Sequence, residues 1–218
     1  MKRIFTIIAL VAMALVAFTA CEKQLIDDGG EVTTPNDVYE YVDLGLPSGL
    51  KWATCNVGAT TPEEYGDYFA WGEVEPKTTY NLDTYKYYDG SNFTKYKGSD
   101  KTVLDPEDDA ATANWGGAWR MPTVAEQDEL RTKCKWDWTT QNGVNGYKVT
   151  GPNGNSIFLP AAGFMDGGTL GDAGLYGGYW SSSRGSLGGA HLVGFSSDYV
   201  RWYNDYCYYG IAVRPVCQ

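Results

Sequence analysis

The sequence predicts a protein of the α+β class: one domain with short antiparallel strands, one clear helix and long loops. Three observations support this prediction. Short runs rich in β-branched and aromatic residues occur near both ends of the chain. One segment between them has a capped, amphipathic helical pattern. Glycine is abundant between residues 163 and 189, as tight turns and long loops require.

The N-terminus has the pattern of a secretory signal peptide. Lys2 and Arg3 form a short basic head, and an apolar run follows. Thr19 and Ala20 are the small residues expected before a cleavage site. We therefore expect residues 1–20 to be a signal peptide. A membrane-anchor helix is the alternative, but the apolar run is short for a span and no basic cluster follows it.

The residues after this run predict a lipid anchor and a tether. "FTAC" resembles the bacterial lipoprotein box, in which the cysteine, here Cys21, becomes the lipidated first residue; Phe18 departs from that pattern. Ordinary cleavage that leaves Cys21 as a spare thiol is the alternative. Residues 21–38 are polar, acidic and glycine-bearing, which predicts a flexible tether, and the domain is expected to span residues 39–218.

The first half of the domain predicts three strands and one long excursion. "VYEYVDLGL" and "LKWATCNVGA" are strand-like runs on either side of the turn signal Pro47-Ser48-Gly49, and "GDYFAWGE" is a third. Residues 76–109 are polar and tyrosine-rich with little periodicity. This length is unusual for a connection, so we expect an excursion packed on the surface.

The helix is predicted over "MPTVAEQDELRTKC", where Thr123 and Glu126 have capping-box spacing. Leu130 and Cys134 are expected to share its buried side, with Val124 at the margin. Residues 109–114 suggest a shorter helix before it. After the helix, "GYKVT" and "SIFLP" flank "GPNGN" as a hairpin, and the strand-like runs "GYWSSS", "AHLVGF", "YVRW" and "GIAVRPV" follow.

Charge and cysteine usage exclude several functions. The net charge is −10, so a nucleic-acid partner is not expected, and contact with a membrane is expected only through the lipid anchor. Cys55, Cys134, Cys207 and Cys217 allow three disulfide pairings, and the sequence does not choose among them. No CxxC spacing occurs and His191 is the only histidine, so neither a metal nor a cofactor is predicted.

Three ordered blocks carry a family resemblance. "YVDLGLPSGLKWATCNVGA", "NWGGAWRMPT" and "YWSSS…VRPV" resemble the Fibrobacter succinogenes major paralogous domain of Bacteroidetes lipoproteins, over most of residues 39–216. That family is similar to the formylglycine-generating and C-type lectin-like group. The resemblance implies a C-type lectin-like fold with both ends of the domain in one sheet.

The last strands carry a narrower resemblance. Residues 180–217 contain no Lys, Glu, Gln or Met and are rich in Tyr, Asp, Asn and Ser, similar to the variable region of retroelement-diversified proteins. Randomised adenines in AAC or AAT codons cannot produce those four residue types or Trp. The resemblance therefore implies a displayed binding surface, and the composition matches that of an antibody paratope. Whether a retroelement acts on this chain remains open at this point.

Strand alternation divides this stretch into two sets. We expect Val193, Phe195, Val200, Trp202, Ile211 and Val213 to point inward, with Trp202 buried beside Val200. We expect Tyr203, Tyr206, Tyr208 and Tyr209 to be exposed and clustered with Asp198 and Asp205. The full predicted ligand-binding set is His191, Leu192, Gly194, Ser196, Asp198, Tyr199, Arg201, Tyr203, Asn204, Asp205, Tyr206, Cys207, Tyr208 and Tyr209.

The predicted function is recognition of a protein or glycan ligand by a lipoprotein of the outer membrane, exposed at the cell surface. A structural or tip component of a surface assembly, whose domain packs on a partner subunit, is one alternative. For the tyrosines themselves, the alternative to a binding surface is that they only cover a sheet edge and its loop. A formylglycine-generating enzyme is another; it would need a reactive cysteine pair, and Cys207 and Cys217 are the candidates. "GPN" at 151–153 and "WYND" at 202–205 echo calcium-lectin signatures but depart from them, so no calcium site and no catalytic residue is predicted.

Overall fold

The computed structural model describes residues 39–98, 101–186 and 188–218, and the backbone alone of residues 19–21, 25–26 and 32–33. The predicted signal peptide and tether therefore lie mostly outside the described residues. Cys21 lies in a short strand, and its side chain is outside the description. Within the described residues, no helix is long and apolar enough to cross a membrane.

The fold is α+β, with short antiparallel strands and two helices, as the sequence predicts. The strands are β1 (Thr19–Cys21), β2 (Leu25–Ile26), β3 (Val32–Thr33), β4 (Tyr39–Asp43), β5 (Lys51–Ala53), β6 (Lys135–Gln141), β7 (Val144–Thr150), β8 (Ser156–Pro160), β9 (Phe164–Asp166), β10 (Thr169–Gly171), β11 (Gly177–Arg184), β12 (Gly189–Ser196), β13 (Tyr199–Tyr206) and β14 (Val216–Cys217). The helices are α1 (Ala110–Trp115) and α2 (Val124–Lys133).

The two ends of the domain meet in one sheet with strand order β1-β4-β5-β14. In it, β14 pairs with β5 through Val216 and Trp52, and β5 pairs with β4. The predicted strand "GIAVRPV" is buried throughout, but only its last part forms a regular strand. Ile211 and Ala212 make isolated bridges to Phe69 and Tyr179 instead.

Arg214 holds the C-terminal segment in the core through buried hydrogen bonds. Its guanidinium is 1% exposed and donates hydrogen bonds to the Asn56 side chain and to the backbone oxygens of Ala53, Thr54 and Phe158. A buried cation without a carboxylate is costly unless its donors are satisfied. These acceptors tie β5, β8 and the C-terminal segment together at one point.

Both predicted helices form, and each begins directly after its capping residue, α1 after Asp109 and α2 after Thr123. The Thr123 side chain accepts from the Glu126 backbone N–H, and the Glu126 carboxylate accepts from the Thr123 N–H, which completes the capping box. Leu130 is buried and Cys134 is half-buried, as expected. The helix also buries Gln127, whose amide donates to the backbone oxygens of Tyr179 and Trp180 on β11.

Two further three-stranded sheets follow the helices: β6-β7-β8 and β11-β12-β13. The "GPNGN" hairpin between β7 and β8 forms as predicted. Strand β6, with the polar sequence "KWDWTTQ", is absent from the predicted elements and pairs along its whole length with β7. The sheet β11-β12-β13 lies between two apolar clusters, so its central strand is buried on both faces.

The excursion over residues 76–109 is not merely packed on the surface, as the sequence suggested. Tyr80, Tyr85, Tyr87 and Tyr96 are buried in one of the two apolar clusters. Their hydroxyls donate to the Tyr68 and Trp71 backbone oxygens or to the Asp108 carboxylate. The excursion is therefore part of the core, since its tyrosines find polar partners there.

Candidate functional site

The predicted binding residues lie mainly on the hairpin of β12 and β13. β13 is the edge strand of its sheet, because it pairs with β12 alone. The pairs Val193–Trp202 and Phe195–Val200 point to one face, and Leu192–Tyr203 and Gly194–Arg201 point to the other.

The predicted burial of Trp202 is wrong. Trp202 does share a face with Val200, as alternation requires, but its side chain is 37% exposed. Its ring lies edge-on to His191 at 5.8 Å between centroids. The cause is the position of β13. Val193 lies on the central strand and is buried, whereas Trp202 lies on the edge strand, at the margin of the core.

Leu192 and Cys207 were predicted to face a ligand and are instead buried, at 1% and 3% exposure. Gly194 is buried as well. Alternation predicts one buried and one open face, but the sheet is covered on both faces at its centre. Leu192 and Cys207 pack in one apolar cluster, so they are core residues and not contact residues.

Asp198 lies at the opposite end of β13 from Tyr206, so it does not cluster with Tyr206, Tyr208 and Tyr209 as predicted. It is exposed in the turn between β12 and β13 and accepts a hydrogen bond from the Ser197 hydroxyl. Asp205 lies at the opposite end of β13, about 20 Å away along an extended strand. The remaining predicted residues are exposed or half-buried: His191, Ser196, Tyr199, Arg201, Tyr203, Asn204, Asp205, Tyr206, Tyr208 and Tyr209.

Five of these residues form what we call the tyrosine surface: Tyr199, Tyr203, Tyr206, Tyr208 and Tyr209. The Tyr206 and Tyr208 rings stack with centroids 5.1 Å apart, and Tyr209 meets both of them edge-on. Tyr206 is 54% exposed, but Tyr203, Tyr208 and Tyr209 are half-buried rather than largely exposed as predicted, and Tyr199 is half-buried as well. Within the described residues, the hydroxyls of Tyr206, Tyr208 and Tyr209 have no hydrogen-bond partner.

A cleft of about 360 Å³ opens beside these rings, and we call it the tyrosine cleft. Its lining is aromatic, with two carboxylates. The lining residues are Phe164, Asp172, Tyr176, Tyr199, Tyr203, Asp205, Tyr209 and Ile211.

The floor of the tyrosine cleft depends on Gly194. A Cβ atom there would lie 2.3 Å from the Tyr176 hydroxyl and 2.8 Å from the Tyr203 ring, closer than real Cβ contacts. Sequence reasoning missed Phe164, Asp172 and Tyr176 as site residues. Glycine inside a strand marks a close approach of another group, so Gly194 was the available signal.

Burial raises the pKa of three phenols in the cleft above an ordinary value of about 10, at which a phenol is already neutral at pH 7. It raises the pKa of Tyr203 to about 12, and the neighbouring Tyr199 hydroxyl adds to the shift. Burial also raises the pKa of Tyr209 to about 12, followed by the charge of Asp166, and it raises the pKa of Tyr176. At neutral pH the cleft therefore presents uncharged hydroxyls beside the carboxyl groups of Asp172 and Asp205.

A second cleft of about 450 Å³ adjoins the first through Asp205. It is lined by Ser186, Gly189, Asn204, Asp205 and Tyr206. The Asn204 amide accepts from the Ser186 N–H at 3.1 Å and donates to the Ser186 backbone oxygen at 3.3 Å. Asn204 therefore holds the end of the β11–β12 connection, in addition to any contact it makes with a ligand.

Two features considered above for catalysis or metal binding, Cys207 and the "GPN" turn, are packed against the rest of the domain. Burial raises the pKa of the Cys207 thiol to about 11, which opposes the thiolate that a reactive cysteine needs. In "GPN", Asn153 donates to the Asp43 backbone oxygen, and a Cβ at Gly151 would lie 2.0 Å from the Leu44 oxygen. This turn therefore serves packing.

One acidic cluster has a spacing that could hold a cation: Asp105, Glu107 and Asp108. The Lys95 ammonium lies among these carboxylates, 2.9 Å from Asp105 and 3.8 Å from Glu107, and it is hydrogen-bonded to Asp108. The lysine supplies the positive charge at this position.

Comparison of the chain with protein-family models, with curated proteins and with solved structures found no match.

Proposed function

We propose that this protein is a lipid-anchored recognition protein of the cell envelope that binds a protein or glycan ligand through the tyrosine surface. The observation that carries the proposal is the state of Tyr206, Tyr208 and Tyr209: clustered, exposed or half-buried, and without a hydroxyl partner in the described part of the chain. Aromatic clusters with free hydroxyls at a surface are typical of contact sites.

The arrangement suits recognition for energetic reasons. Tyrosine has few rotatable bonds, so it loses little entropy on binding and contributes a large amphipathic area. The rings already pack on one another, which preorganises them. The adjoining clefts add Asp205 and Asn204 as hydrogen-bond acceptors.

The same proposal includes a C-type lectin-like fold of the Bacteroidetes lipoprotein kind, with a C-terminus of retroelement-diversified type. The α+β class and the meeting of both domain ends in one sheet support it. A near-copy of the DNA for residues 180–217, differing mainly at adenines and lying beside a reverse transcriptase gene, is the expected genomic finding.

A ligand screen tests the function. We expect the wild-type chain to retain a host protein or glycan that the double variant Tyr206→Ser/Tyr208→Ser does not retain, because a few aromatic anchors dominate most interfaces. Tyr41→Ser on β4 is the matched control and should bind like wild type. A double variant that binds like wild type but melts at a lower temperature would instead favour a structural role for these rings.

The anchor has its own test. We expect Cys21→Ser to release the protein from the membrane fraction, or to leave its signal peptide uncleaved, because the cysteine is the predicted lipidation site. Membrane fractionation with mass spectrometry of the N-terminus measures both. Unchanged membrane retention with normal processing would contradict the lipoprotein assignment.

A further inference from the structure

We infer that the tyrosine cleft accepts an alkylammonium group, the side-chain end of a lysine on a protein partner. This inference rests on the proposed function, since it names the chemistry that the tyrosine surface recognises. Three observations carry it: the arrangement of the rings, the charge of the lining, and an occupied site of similar composition elsewhere in the same molecule.

Four aromatic rings of the tyrosine cleft pack edge-on or tilted against one another. Tyr176 meets Tyr203 at 82° and Phe164 at 90°, with centroid separations of 6.3 and 6.2 Å. Phe164 in turn lies 5.8 Å from Tyr209. An edge-to-face pair covers one ring face only, and Phe164, Tyr176, Tyr203 and Tyr209 all line the cleft. The ring faces left open to the cleft attract an organic cation.

The charge of the lining is negative. Asp172 and Asp205 are its ionisable acids, and none of the described lining residues is basic. Arg201 lies on the same face of β13 as Tyr199 and Tyr203, with its guanidinium 4.7 Å from the centroid of the Tyr199 ring, so one ring of the cleft already holds a cation. Two carboxylates against one guanidinium leave the cleft and its margin with a net negative charge, which favours a cationic ligand.

The occupied counterpart lies in the excursion over residues 76–109. There the Lys95 ammonium sits 5.0 Å from the Tyr96 ring centroid and 5.7 Å from that of Tyr87. It also contacts the carboxylates of Asp105 and Asp108. Tyrosine rings with two carboxylates thus hold a lysine in this protein. The tyrosine cleft has the same components, and its lining contributes no lysine.

Small probes separate this inference from the alternatives. Full-length protein is titrated by NMR with Nα-acetyl-lysine methylamide, with the neutral analogue Nα-acetyl-norleucine methylamide, which lacks the ammonium group, and with methyl glucoside as the sugar probe. We expect the lysine probe to bind about tenfold more tightly than norleucine, and its affinity to fall as salt is added. Equal affinity for norleucine, or binding of the glucoside alone, would overturn the inference.

Two aspartate variants locate the site. Asp205→Asn keeps the shape of the side chain and removes its charge, so we expect it to weaken binding of the lysine probe several-fold. Asp198→Asn, in the turn that precedes the same strand, should leave the affinity unchanged. Thermal melting of both variants verifies folding. If both variants weaken binding equally, the effect is general charge and the inference fails.

The outcomes also separate this inference from the proposed function. If the lysine probe does not bind while the screen with Tyr206→Ser/Tyr208→Ser identifies a ligand, recognition stands and its cation chemistry is wrong. If the probe binds at Asp205 and the screen finds no ligand dependent on those tyrosines, the cleft chemistry stands and the wider function is wrong.

Discussion

Two regions of the molecule are rich in tyrosine and use it in opposite ways. In the excursion, Tyr80, Tyr85, Tyr87 and Tyr96 are buried, and each hydroxyl donates to a protein oxygen. On the tyrosine surface the rings are exposed or half-buried, and within the described residues the hydroxyls at 206, 208 and 209 have no partner.

The difference shows that tyrosine density alone does not indicate a binding surface. A buried phenol must satisfy its hydroxyl internally, whereas a phenol at a contact site leaves it for water or a ligand. The partner of the hydroxyl therefore distinguishes the two uses.

The largest contrast is expected for complete removal of a ring. Tyr85→Ala should lower the free energy of unfolding by about 3–5 kcal/mol, because it leaves a cavity and an unpaired Trp71 oxygen. Tyr206→Ala should change it by only about 0.5 kcal/mol. Denaturant unfolding of the two variants measures this; similar costs would show that both regions are core.

Removing a hydroxyl alone gives a smaller contrast. Tyr96 donates to Asp108 at 2.7 Å and accepts from the Asp105 N–H at 2.9 Å, so Tyr96→Phe should cost about 1.5–3 kcal/mol. Tyr208→Phe should be neutral within about 0.5 kcal/mol. A measurable loss of stability in Tyr208→Phe would mean that its hydroxyl has an internal partner.

The elements that the sequence predicted well are those specified by neighbouring residues. The capping box at Thr123 and Glu126 determines where α2 begins, and the turn residues of "GPNGN" specify the β7–β8 hairpin. Both signals act within a few residues. The polar strand β6 has no such local signal. It is a strand because it pairs along its length with β7.

The burial of individual tyrosines could not be predicted either, because it depends on residues that are distant in the sequence. Tyr85 is paired with Trp71, and Tyr87 with Asp108, and both partners are distant in sequence. Alternation correctly put Trp202 and Val200 on one face but could not show that β13 is an edge strand. For the candidate site, composition located the surface, and only the fold showed that Tyr176 and Phe164 complete it.

The excursion should also make the free energy of unfolding depend on pH in the acid range. Burial would raise the pKa of Asp108, but hydrogen bonds from Lys95, Tyr87, Tyr96 and Lys86 outweigh it and lower the pKa to about 2. Because the folded pKa lies below the unfolded value, this carboxylate stabilises the fold above about pH 4. That contribution, about 2 kcal/mol, is lost as the pH falls from about 4 to about 2.

The variant Asp108→Asn isolates this effect. Asp109, whose pKa is raised by burial, contributes in the opposite direction in both proteins, so it cancels in the comparison. The stability difference between wild type and variant should be largest above pH 5 and shrink below pH 4. A difference independent of pH would mean that Asp108 is not held as a carboxylate.

The smallest effects are expected within the tyrosine surface itself. Tyr206→Ser should leave the free energy of unfolding within about 0.5 kcal/mol of wild type, because more than half of its side chain is already in water. Tyr209→Ser should cost more, about 1–2 kcal/mol, since its half-buried ring packs against Phe164 at 5.8 Å. Thermal unfolding of the two variants measures this gradient. If Tyr206→Ser proved the more costly of the two, its ring would contribute to the core, and the distinction between the two tyrosine-rich regions would no longer hold.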